Sequence, residues 1–287
     1  PAAPVADNTN PVYDKEMRSE IFGQGTLMLR LAIQISMILA IPFMAFFLYI
    51  YPSLAAWYII YVCVFNILVG PVFSAGSVTS ERERQTLDLL LTTTITPWQI
   101  LWGKLLSGLR VSSVLSSFLL WPLLLAMIMV PAYWENLPAV AAYLVIFTLT
   151  CITTAVLALF CSTLFNRTSV SLLVTYCVIL VLYVVPIATS LFANTYFPYS
   201  RATPVVQFCT ISSPFAVAVK IPLYSDTGTS ETDWQPARRP REFFGYPREA
   251  VQYFASYVVF TVALNLVLLL AMIWMFQSRW RVSAAGN

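Results

Sequence analysis

The chain is 287 residues long, 59% of them apolar and only 10% charged, with a formal net charge of +3. Soluble domains average about 45–50% apolar and about 25% charged residues, so this balance excludes an ordinary cytosolic enzyme, a disordered chain and a nucleic-acid binder, and it points to a chain that crosses a membrane several times. Histidine is absent, which removes the commonest general base and most metal sites, so no catalytic or metal-ligating residue is expected. The five cysteines, Cys63, Cys151, Cys161, Cys177 and Cys209, form no Cys-x-x-Cys pair and read as small apolar residues.

In chain order, residues 1–26 are polar, with no secretory leader expected. Asn10 as an N-cap, Pro11 at the first helical position and Asp14 and Glu16 in the first turn predict a short helix over 10–23. Tyr13, Met17 and Ile21 recur every four residues on one face, the pattern of a helix lying in the membrane interface.

Six long apolar runs follow, at 27–51, 54–77, 105–130, 137–164, 170–192 and 251–276. Each has the roughly 20 residues a helix needs to cross the hydrocarbon core, where only intrachain hydrogen bonds are on offer. The expected fold is therefore an all-α membrane protein of six transmembrane helices, forming a single domain over 1–287. Basic residues set the orientation. With the N-terminus inside, Lys15, Arg18, Arg82, Arg84, Lys104, Arg167, Arg279 and Arg281 fall on the cytoplasmic side, and the short outer loops carry none. Both termini are thus expected in the cytoplasm. The 193–250 loop, expected outside, carries six basic residues against this trend. Arg30 and Arg110 fall near inner span ends, where their side chains can snorkel to the headgroups. No Asp or Glu falls in the middle of a run, which argues against a proton- or sodium-coupled carrier.

The loop over 78–104 carries the most information. Ser80 and Glu83 have the spacing of a capping box, and Arg84 and Asp88 that of an i,i+4 pair. Leu87, Leu90 and Leu91 line the opposite side. A second start signal, Thr96, Pro97 and Gln99, leads into the third run. Two readings stand for the charged piece: a surface helix resting on lipid, or a knob that docks on a cytoplasmic partner through complementary charge. Within the runs, Pro42, Pro71, Pro122 and Pro186 predict bent helices. Ser113 and Ser117, with Ser112 and Ser116, suit either close helix packing or the lining of a path; Asn66 and Asn265 suit hydrogen bonds between helices or the same path. In the 193–250 loop, Ser213 and Pro214 predict the start of a short helix over 215–221. The one Gly-Lys pair, Gly103-Lys104, lacks the rest of a P-loop, so no ATP site is expected in this chain.

Glu81-Arg82-Glu83, then Thr86-Leu87 and Leu90-Leu91, followed by Pro97, Ile100 and Gly103-Lys104, closely resemble the permeases of the type-two ATP-binding cassette (ABC-2) exporter family. Asn10-Pro11-Val12 with Lys15-Glu16, and Ser213-Pro214-Phe215, are similar to further elements of that family. The polar stretch after Tyr224 departs from it. The resemblance implies a multi-pass permease of the cell membrane that pairs with a second copy or a related permease. It implies two cytoplasmic ATPase subunits, with ATP and magnesium bound there and not in this chain. It further implies a coupling helix over 81–91, in which Glu81, Arg82, Glu83, Arg84, Thr86, Leu87, Asp88, Leu90 and Leu91 meet the ATPase, and an interfacial connecting helix over 10–22. The competing classes are a membrane scaffold without transport of its own and a gradient-driven carrier.

Overall fold

The computed structural model describes residues 27–83, 85, 97–196, 206, 209–221 and 248–285. Every regular element among them is helical. The expected interfacial helix, with Tyr13, Met17 and Ile21, lies outside the described residues.

The first apolar run forms α1 (Leu27–Met44), which continues as a π-helix (Ala45–Ile50). Pro42, just ahead of the change, withholds one donor from the helical ladder. A 3-10 turn (Pro52–Leu54) leads into α2 (Ala55–Ala75), and after a turn at 76–78 the chain resumes as α3 (Thr79–Glu83). The third run is one long helix, α4 (Pro97–Met129), which starts at Pro97 as the sequence predicts. It is followed by α5 (Pro131–Glu135), α6 (Leu137–Leu164), α7 (Thr168–Tyr183) and α8 (Val185–Tyr196). A 3-10 turn (Thr210–Ser212), α9 (Pro214–Lys220) and α10 (Arg248–Ala285) complete the described chain. Six helical stretches are long and apolar enough to cross a membrane, Ile33–Ile50, Ala55–Glu83, Trp98–Met129, Leu137–Leu164, Thr168–Tyr196 and Glu249–Met275, and they match the six predicted runs.

The bundle is organised around α6. In its most apolar stretch 67% of the residues are buried, against 11% for the first span and 17% for the sixth. It packs against α2, α4, α7 and α10. Its small residues explain the central place. Ala139, Thr150, Thr154, Ala155, Ala158 and Ser162 are buried, and short side chains let neighbouring backbones approach where lipid supplies no hydrophobic drive. The 20 residues of α4 from Arg110 to its last residue, Met129, span about 30 Å, the thickness of the hydrocarbon core.

Tyrosine hydroxyls tie the helices together through main-chain acceptors. Tyr58 donates to the Leu119 carbonyl (2.7 Å), Tyr133 to that of Leu48 (3.0 Å) and Tyr143 to that of Ile221 (2.8 Å). Tyr61 and Tyr176 donate to the Ser36 and Leu68 carbonyls. The fifth span is broken between α7 and α8. Pro186 has no N–H to offer the Leu182 carbonyl one turn earlier, and the Ser212 hydroxyl donates to that carbonyl instead (2.9 Å). The helical ladder is thus interrupted at Val184, ahead of Pro186, and the 3-10 turn supplies the donor that Pro186 withholds. Of the cysteines, Cys63, Cys151 and Cys161 are buried; Cys177 and Cys209 are exposed on the surface of the chain. The predicted helix after Ser213 is α9, but Ser213 makes no side-chain cap, and its buried hydroxyl is unpartnered.

Candidate functional site

The first loop departs from its predicted geometry in two ways. The described helix α3 ends at Glu83, and Gln85 takes a left-handed conformation with φ of 57°; the rest of the helix expected over 81–91 lies outside the described residues. A residue of this kind ends helices, because its N–H turns back to an earlier carbonyl; here the Gln85 N–H donates to Arg82 (3.1 Å). Nor is Ser80 an N-cap. Its own N–H bonds to the Gly76 carbonyl (2.9 Å), as in a continuing helix. The cap comes from α6. The buried Ser162 hydroxyl oxygen accepts from the N–H groups of both Val78 and Thr79, each at 3.0 Å.

The charged groups of the motif turn toward their own chain. The Arg82 guanidinium donates to the Phe165 carbonyl (2.8 Å), the Asn166 side chain (2.7 Å) and the Thr163 carbonyl (3.4 Å), beyond and within the last turn of α6. Glu83 accepts from the Thr168 N–H (2.7 Å), the first residue of α7. Each charge meets the helix end whose dipole it complements, the cation at carbonyls and the carboxylate at an N-terminus. Ser171 adds a bond from α7 to the Ala75 carbonyl at the end of α2 (3.1 Å). Glu81 is buried, with an oxygen 4.0 Å from the Lys104 ammonium. That lysine, 1% exposed, donates to the Ser77 carbonyl (2.5 Å). Arg84, Thr86, Leu87, Asp88, Leu90 and Leu91 lie outside the described residues.

Deeper in the bundle, Asn66 is fully buried and joins three spans. Its amide nitrogen donates to Ser112 (2.9 Å) and Ser116 (3.2 Å) on α4, and its oxygen accepts from Thr154 (3.2 Å) on α6. Gly70, one turn along α2, leaves the space for this: a Cβ there would stand 3.1 Å from the Ser112 hydroxyl oxygen. Asn265 on α10 donates to Thr153 on α6 (2.9 Å) and to the Thr261 carbonyl (2.8 Å), while its own oxygen is buried without a partner. Both asparagines thus make the interhelical bonds that the sequence suggested.

A family model described as ABC-2 family transporter protein matches residues 6–279. The chain belongs to the ABC-2 transporter family. It is a multi-pass membrane protein of the permease kind. No curated protein matches it.

Two surface grooves run along this ABC-2 permease. One, about 400 Å³, lies between α4 and α6 and is lined by Arg110, Ser113, Phe147, Thr148 and Cys151. Ser113 and Ser117 are exposed and donate to carbonyls of their own helix, those of Arg110 (3.1 Å) and Val114 (2.7 Å). The serines of α4 therefore divide. Ser112 and Ser116 pack inside against Asn66; Ser113 lines the groove, and Ser117 faces outward. The second groove, about 880 Å³ and largely apolar, lies at the span-five kink and is lined by Val178, Val181, Pro186, Ser212, Ala255 and Val259. Sequence reasoning missed Ser162 and Gly108. Ser162 sits in the polar pair Ser162-Thr163 near the end of an apolar run, the one signal that could have found it. Gly108 presses α4 against α2, and a Cβ on it would meet the Ser74 hydroxyl oxygen at 2.4 Å.

Proposed function

We propose that this chain is the membrane-spanning subunit of an ATP-binding cassette exporter of the cell membrane, with both termini in the cytoplasm. It pairs with a second copy or a related permease, and separate cytoplasmic ATPase subunits bind ATP and magnesium. The observation that carries this reading is the ABC-2 match over 6–279 together with the Glu81-Arg82-Glu83 and Gly103-Lys104 motifs at the ends of one loop. Because Arg82 and Glu83 engage the 163–168 turn and Glu81 engages Lys104, contact with the ATPase is assigned to Arg84, Thr86, Leu87, Asp88, Leu90 and Leu91. ATP binding draws the ATPase subunits together and displaces this loop, and the rigid spans relay the movement to a path between the two permeases. Such coupling requires that the docked loop contact its partner differently in the two states.

The test is affinity purification of the full chain in mild detergent, with identification of what accompanies it. A P-loop ATPase is expected. Arg84→Glu with Asp88→Lys is expected to lose most of it while the permease inserts at the wild-type level. Full recovery of the ATPase with that variant refutes the docking assignment. Absence of any ATPase from the wild-type preparation favours the scaffold reading.

A further inference from the structure

The Arg-Glu pair of the loop is placed between two helix ends that it holds at once. Arg82 reaches carbonyls at 163 and 165, where α6 ends, and Glu83 reaches the N–H of 168, where α7 begins. Ser162 grips the loop from the other side, through the N–H groups of 78 and 79, and Ser171 bonds to the carbonyl of 75. The order of the two charges matches the order of the helix ends. The cation faces the negative end of α6, the carboxylate faces the positive end of α7, and reversing them would place like against like at both.

We propose that Arg82 and Glu83 are positioning residues that fasten the first loop to the turn between spans four and five, so that loop and turn move as one body. A displacement entering at the loop is then delivered directly to α6, the central helix, and to α7. Beyond α7 it meets the break at Pro186, which the Ser212 hydroxyl holds through the Leu182 carbonyl. The inference rests on the ATPase-docking reading only for where the displacement enters; the fastening itself is a property of this chain alone.

The experiment uses the full chain with Cys177 and Cys209 replaced by serine and spin labels at Gln85→Cys and Ser169→Cys, both exposed positions. Distances are read by pulsed electron resonance in the free chain and with the ATPase, in nucleotide-free and nucleotide-bound states. One narrow distance, unchanged across all states, is expected. Glu83→Ala and Arg82→Ala are each expected to lose the narrow distance, and Glu83→Gln, which keeps an oxygen acceptor for the Thr168 N–H, to retain it. The ATPase is expected to stay bound to all three variants, which separates positioning from docking. A wild-type distance that changes with nucleotide overturns the proposal, as does an alanine variant whose distance stays narrow. If no ATPase accompanies the chain, the proposed function fails, but the free-chain distances still decide the fastening.

Discussion

Asn66→Ala tests whether the intramembrane polar cluster serves packing or a transport path. The substitution removes three interhelical hydrogen bonds, to Ser112, Ser116 and Thr154. Such bonds within membranes average about 0.6 kcal/mol each, which gives about 2 kcal/mol for the set. Thr154 has carbonyls of its own helix to fall back on, those of Thr150 and Cys151 at 3.0 Å, so its hydroxyl is not orphaned. A small cavity adds to the loss, since the site is fully buried. The expected destabilisation is about 2–3 kcal/mol, measured as a shift in an SDS or thermal unfolding transition in detergent. A double-mutant cycle with Ser112→Ala should return a coupling of about 0.6 kcal/mol. The transport proposed above, assayed well below the transition, should persist, because Asn66 lines neither groove. Loss of transport with unchanged stability, or a coupling of zero to both Ser112 and Thr154, refutes the packing role.

Ser162→Ala leaves the buried N–H groups of Val78 and Thr79 without their shared acceptor, and a loss of about 1–3 kcal/mol is expected in the same unfolding assay. Lys104→Met removes the cation 4.0 Å from the buried Glu81 carboxylate; the transition should fall, and adding Glu81→Gln should recover part of the shift. Gly108→Ala drives a Cβ into the Ser74 hydroxyl and is expected to cost about 1–3 kcal/mol. Ser74→Ala alone should be near neutral, because that hydroxyl has no partner, and the double variant should be more stable than Gly108→Ala. Additive effects in that pair would contradict the contact.

The six spans were legible because membrane crossing imposes a length and a composition that local sequence displays directly. Their boundaries came within a few residues except at the end of the second span, which runs to Glu83 and not 77; α4 begins at Pro97, ahead of the apolar run, where its start signal places it. There the apolar signal fades while helical hydrogen bonding continues. Asn66 was legible as an interhelical donor, since a lone amide among apolar residues has few other uses. Its partners were not, because they come from spans 46 to 88 residues away. The same distance misled the reading of the first loop. Ser80 and Glu83 have the local spacing of a cap, but Thr168, 85 residues on, takes the Glu83 carboxylate, the Gly76 carbonyl takes the Ser80 N–H, and Ser162 supplies the cap earlier, at the N–H groups of Val78 and Thr79. Capping rules weigh only neighbours in sequence; a tertiary partner overrides them when it takes the same group. The end of the helix at Glu83 had no signal of its own either, since Gln85 is not a residue that favours a left-handed backbone.

The tyrosine anchors carry a consequence for how this sequence can drift. Tyr58, Tyr61, Tyr133, Tyr143 and Tyr176 all end on carbonyl oxygens of the main chain. A carbonyl is present whichever residue stands at that position, so mutations at 119, 36, 48, 221 or 68 leave the acceptor in place. Each anchor therefore depends on one codon, that of the tyrosine itself, whereas the Asn66 cluster depends on four. Over long divergence the phenol positions should hold while the residues beneath them wander.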